Sequence, residues 1–109
     1  GTVFEDVIEA PAGSSYYEDD YFTASCDLIP DGTGLEGSPA TALSAFWTYP
    51  GCVSMTGSVF VVALADGRQL KLEVTHYYEP AAQDACDATG SVPTPSGAAN
   101  YRVRWAFLP

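Results

Sequence analysis

Basic residues are scarce in this chain. Its 109 residues hold four Lys and Arg against fourteen Asp and Glu, a formal net charge of -10. A surface of that sign repels phosphate backbones and anionic membranes, so nucleic-acid binding is excluded as a reading. No C-x-x-C occurs, which leaves a zinc ribbon, a thioredoxin-like motif and a c-type haem attachment site without support. There is one histidine, His76, and one methionine, Met55. No G-x-S-x-G is present, and Gly51-Cys52-Val53-Ser54 does not fit that elbow. A triad would have to use His76 in the middle of a strand, so hydrolase chemistry has no footing. Gly32-Thr33-Gly34 lacks the Lys of a phosphate-binding loop. The longest clear apolar run, Val59 to Ala65, is too short for a transmembrane segment. The one Asn, Asn100, precedes Tyr101 and Arg102, so no glycosylation sequon exists. The reading is non-enzymatic.

What is present suits one β-rich domain over 1–109. Apolar residues make up 47% and aromatics 13%, enough to bury a core. No signal-like segment opens the chain, and it begins at Gly1, as a processed product or a fragment of a longer chain does. The acid is concentrated early: the first 36 residues carry nine carboxylates and no Lys or Arg. Glu18, Asp19 and Asp20 lack calcium-loop spacing and read as solvated acid; no metal site is expected.

The second half carries the clearest pattern. Ser58 to Ala65, then Asp66-Gly67, then Arg68 to Tyr77 is a hairpin signal. A two-residue loop sets Ala65 opposite Arg68 and places Val59, Val61 and Ala63 opposite Val74, Leu72 and Leu70. Tyr101 to Phe107 alternates Tyr101, Val103, Trp105 and Phe107 with Arg102, Arg104 and Ala106, a period-two strand. Paired with the second hairpin strand, it brings its arginines near Glu73. The link from Glu79 to Asn100 is rich in Ala, Gly, Pro, Ser and Thr and reads as a long surface loop. Upstream, Thr2 to Glu9 reads as a strand, Asp31 to Pro39 as a loop, and Ala40 to Trp47 as a short helix or a strand.

Three cysteines leave one over. Extending the hairpin brings Cys52 and Cys86 to its open end, which favours a Cys52–Cys86 disulfide and an oxidising, secreted or cell-surface setting. Cys26 is then an unpaired thiol or an intermolecular one. Tyr16, Tyr17, Tyr21, Trp47, Tyr49, Tyr77 and Tyr78 form an aromatic stock that either fills a core or marks a recognition surface.

The run Trp47-Thr48-Tyr49, with Val59-Phe60-Val61-Val62, Asp66-Gly67-Arg68, Lys71-Leu72, Tyr77-Tyr78 and the closing Tyr101-Arg102-Val103-Arg104-Trp105, resembles the C-terminal half of HmuY-family proteins. Phe4-Glu5-Asp6-Val7-Ile8-Glu9-Ala10-Pro11 is similar to segments of longer, divergent members. The resemblance covers residues 47 to 107. It implies a mostly β fold, an antiparallel sheet or sandwich with long loops, and an extracellular or outer-membrane surface location. The family's founding members capture haem through paired histidines, in some cases with methionine. The resemblance therefore makes His76 and Met55 haem-ligand candidates. The hairpin register sets them as diagonal neighbours on one face of one sheet, where two axial ligands cannot sandwich a porphyrin. The resulting expectation is a non-catalytic HmuY-like binding or interaction module, assembling with itself or with other surface proteins. Haem capture is the alternative.

Overall fold

The computed structural model describes residues 3–16, 18–19, 21–30 and 41–109. Gly1, Thr2, Tyr17, Asp20 and residues 31–40, with the expected Asp31–Pro39 loop, lie outside them. The described part is mostly β, with two antiparallel sheets and one short α-helix. Strands β1 (Trp47–Thr48) and β2 (Ser54–Met55) form the smaller sheet. Strands β3 (Val59–Ala63), β4 (Gln69–His76) and β5 (Arg102–Phe107) form the larger, in the order β3-β4-β5.

The hairpin exists, but its register is one residue away from the expected one. Leu64 and Arg68 close the loop: Leu64 N–H donates to the Arg68 carbonyl at 2.8 Å, and Gly67 N–H to the Leu64 carbonyl at 3.0 Å. Ala65 joins Asp66 and Gly67 in a three-residue loop. Asp66 Oδ1 accepts the Arg68 N–H at 3.0 Å, and Gly67 takes φ +90°, the left-handed position such loops reserve for glycine. Val59, Val61 and Ala63 therefore oppose Glu73, Lys71 and Gln69, while Phe60 and Val62 oppose Leu72 and Leu70. A one-residue slip exchanges the two faces of a strand. The apolar face thus carries Phe60, Val62, Leu70, Leu72 and Val74, joined from β5 by Val103, Trp105 and Phe107.

The other face is mixed, and the N-terminal segment lies on it. Of the expected Thr2–Glu9 strand, Thr2 lies outside the described residues and the rest is not a strand: Phe4–Asp6 is a short 3-10 turn. Phe4 lies between two cations, 4.3 Å from Lys71 Nζ and 4.5 Å from Arg104 Cζ to its ring centre, an attraction between positive charge and the ring face. Arg104 donates to Glu73 at 3.1 Å, as expected of β5 beside β4, and to Glu5 at 3.0 Å. Neither a helix nor a strand spans the described part of the Ala40–Trp47 segment: it holds a 3-10 turn at Ser44–Phe46, and β1 begins at Trp47.

The Glu79–Asn100 link is not simply a loop. It contains helix α1, Pro80–Thr89. Alanine is the strongest helix former, proline suits the first helical position, and Gly90 ends the helix in a left-handed cap at φ 78°. Its inward side presents Ala82, Gln83 and Cys86, all buried. Cys86 is bonded to Cys52, with a Cα–Cα separation of 6.1 Å. Cys52, Tyr78, Ala82 and Cys86 make the core, with Val53, Tyr77 and Val92 packed against it. The densest packing is therefore around the disulfide, between α1 and the chain leading into β2. Asp87 Oδ1 holds β2 to α1, accepting from Met55 N–H at 3.0 Å and Ser54 Oγ at 3.1 Å.

Candidate interaction surface

Strand β5 is the edge of the larger sheet. Its inner side is bonded to β4, and among the described residues no strand pairs with its outer side. The bonding phase follows from one contact. Leu108 N–H donates to the Gln69 carbonyl at 2.9 Å, and bonded pairs alternate along an antiparallel ladder. Ala106 and Arg104 thus face their bonds toward β4, while Val103, Trp105 and Phe107 direct theirs outward. The ladder is interrupted at Thr75, a bulge between Val74 and His76 that resets the pairing to His76 with Arg102.

The side chains of this edge are open as well. Val103 is 50% exposed, Trp105 55% and Phe107 45%, although all three share one face. Large apolar side chains gathered on one exposed face mark interaction sites in soluble proteins. Trp105 and Phe107 contact edge to face, their ring centres 5.4 Å apart. Arg68 lies over the Phe107 ring at 4.5 Å. Tyr101 precedes the strand, 58% exposed, and contacts Tyr77 and Phe46 at 5.3 and 6.2 Å. The Arg104 guanidinium is held more firmly protonated than usual by the hydrogen bond it donates to Glu73.

The candidates named from sequence are dispersed. Met55 is in the small sheet, opposite Trp47, and His76 is in the large one, opposite Arg102. The expected placement as diagonal neighbours on one sheet is therefore wrong, because the chain turns away from β4 at Thr56 and Gly57 before reaching β2. His76 is half-buried, with Nδ1 2.8 Å from the Thr75 hydroxyl oxygen. That hydroxyl also lies 3.2 Å from the Arg102 carbonyl. Cys52 and Cys86 are joined; Cys26 is a free, exposed thiol. Of the aromatic stock, Tyr78 is buried in the core, Tyr77 and Trp47 are half-buried, and Tyr16, Tyr21 and Tyr49 are exposed. The residues that line the open edge come instead from the closing strand. Its period-two pattern was legible, but its position at the end of the sheet was the signal that the strand's outer edge stays open.

An open concavity of about 690 Å³ runs beside β3. Ala10, Pro11, Tyr16, Glu18, Asp19 and Leu43 fence it, so the outer edge of β3 is flanked by acid. Among the described residues no group of three or more His, Cys, Asp and Glu side chains is placed to hold a metal ion. Among the described residues no helix is long and apolar enough to cross a membrane. Comparison with family models, curated proteins and solved structures found no match.

Proposed function

We propose that this chain is a non-catalytic binding module of the HmuY type, working at a cell surface or in the extracellular space through the open apolar edge of its larger sheet. The observation that carries this reading is the shared exposure of Val103, Trp105 and Phe107 on β5. The disulfide is compatible with an oxidising compartment. The HmuY likeness is supported by the way the resembling motifs assemble: the two hairpin strands and the closing strand are contiguous in one sheet. Haem capture is the competing function.

Two titrations on the folded protein test the reading. An anilinonaphthalene sulfonate dye should bind the parent, and Trp105→Lys should abolish most of that signal without changing the near-ultraviolet circular dichroism. Dye binding indifferent to Trp105 sinks the proposed surface. Hemin is titrated beside it in the Soret region, with His76→Ala and Met55→Ala. A saturable shifted band lost in either variant would replace the interaction reading with haem capture.

A further inference from the structure

Resting on that reading, we infer that the partner of β5 is β5 of a second copy, joined antiparallel about a two-fold axis through Trp105. A self-complementary edge must place the same strand on both sides of the axis. Side chains on paired residues point to the same face, so only certain registers are open. Centred on Trp105, the pairing sets Trp105 against its own copy, Val103 against Phe107, and Arg104 against Ala106. The three residues whose backbone groups point outward then meet one another and complete each other's hydrogen bonds. The apolar face runs unbroken across the axis, with the indoles adjacent at its centre. Centred on Arg104, the same strands would oppose two guanidinium groups, which is unfavourable.

Charge selects this edge over the other. Two chains of net charge -10 repel, and they associate most readily where the local charge is least negative. No Asp or Glu occurs after Asp87, and β5 holds two of the four basic residues. Arg104 is bonded to both Glu73 and Glu5 within its own chain, and Arg102 offsets the second carboxylate, so the junction carries little net charge of either sign. The β3 edge differs: Glu18 and Asp19 stand beside it and would meet their own copies.

Sedimentation velocity over micromolar to millimolar concentrations tests the pairing. The Cys26→Ser chain is used throughout, so that thiol linkage is absent. The expected result is a reversible dimer that tightens with added salt, since screening relieves the repulsion between like net charges. Trp105→Lys and Val103→Pro should each weaken it by roughly tenfold or more. Val103 faces its N–H outward, so proline there removes an intermolecular bond and no bond to β4. An exciton couplet from the paired indoles should grow with concentration and vanish in Trp105→Phe. A dimer indifferent to both Trp105→Lys and Val103→Pro, or a monomer throughout, overturns the inference. A monomer that still binds dye through Trp105 leaves the binding surface standing and assigns it to a different protein. A monomer without Trp105-dependent dye binding removes both.

Discussion

Gln83 Oε1 accepts the backbone N–H of Tyr78 at 3.1 Å, inside the core. The same oxygen accepts from Tyr77 at 2.8 Å. Its amide nitrogen donates to the Val53 carbonyl at 3.0 Å and to Asp87 Oδ1 at 2.9 Å. One buried side chain thus ties the end of β4 to the strand that follows Cys52. Replacement by leucine keeps the volume and strands the backbone groups. Gln83→Leu should destabilise by roughly 2–4 kcal/mol, read as a lower urea midpoint at unchanged slope. A midpoint equal to the parent's would show that water replaces these bonds at little cost.

The disulfide closes a loop across a sequence separation of 34. Loop-closure entropy puts its contribution at roughly 3–4 kcal/mol. Cys52→Ala with Cys86→Ala should lower the thermal midpoint accordingly. Cys26→Ser, at an exposed thiol, should leave that midpoint unmoved. Calorimetry of the three proteins distinguishes these cases.

Two glycines set backbone strain alone, at Gly67, against strain joined to steric exclusion, at Gly51, where φ is +148°. A Cβ at Gly67 would meet nothing within 4 Å, so Gly67→Ala bears only the left-handed φ of +90°, a cost of about 1 kcal/mol. A Cβ at Gly51 would lie 2.5 Å from the Gly90 carbonyl oxygen, beside the disulfide. Gly51→Ala should cost roughly 2 kcal/mol or more, and chemical denaturation should rank the pair in that order.

Tyr21 and Asp19 give a signature at alkaline pH. The phenol donates to Asp19 at 3.2 Å. That bond, followed by the repulsion between phenolate and carboxylate, raises the Tyr21 pKa above its ordinary 10.0. A pKa raised on folding contributes stability that is fully present below the ordinary value and lost as pH climbs through the raised one. Phenolate absorbance should therefore show a late-titrating component that is missing in Tyr21→Phe and returns to the usual range in Asp19→Ala. A parent titration lacking that component would refute the contact.

Much of the larger sheet was legible beforehand. β3, β4 and β5 were readable as β-rich runs, and the approach of Arg104 to Glu73 followed from pairing β5 with β4. The Cys52–Cys86 bridge followed from their common position beyond the hairpin. The register was not legible, because it depends on whether Ala65 belongs to strand or loop. An aspartate side chain binding the Arg68 backbone settles that question. Helix α1 was missed because alanine, proline and glycine suit a loop as well as a capped helix. What separates the two is the burial of Gln83 against the Tyr77, Tyr78 and Val53 backbone and of Cys86 against Cys52.

The sequence alone therefore determined that the three segments of the larger sheet extend, which side of β5 is apolar, and the sign and uneven placement of the charge. These are local properties, set by side-chain type and by the two-residue period of a strand. Only the tertiary structure decided which apolar face was left uncovered. The N-terminal segment carries Phe4 onto Lys71 and Arg104, so it occupies the mixed face and leaves Val103, Trp105 and Phe107 open. That choice depends on contacts between residues far apart in the chain, and no local pattern records it.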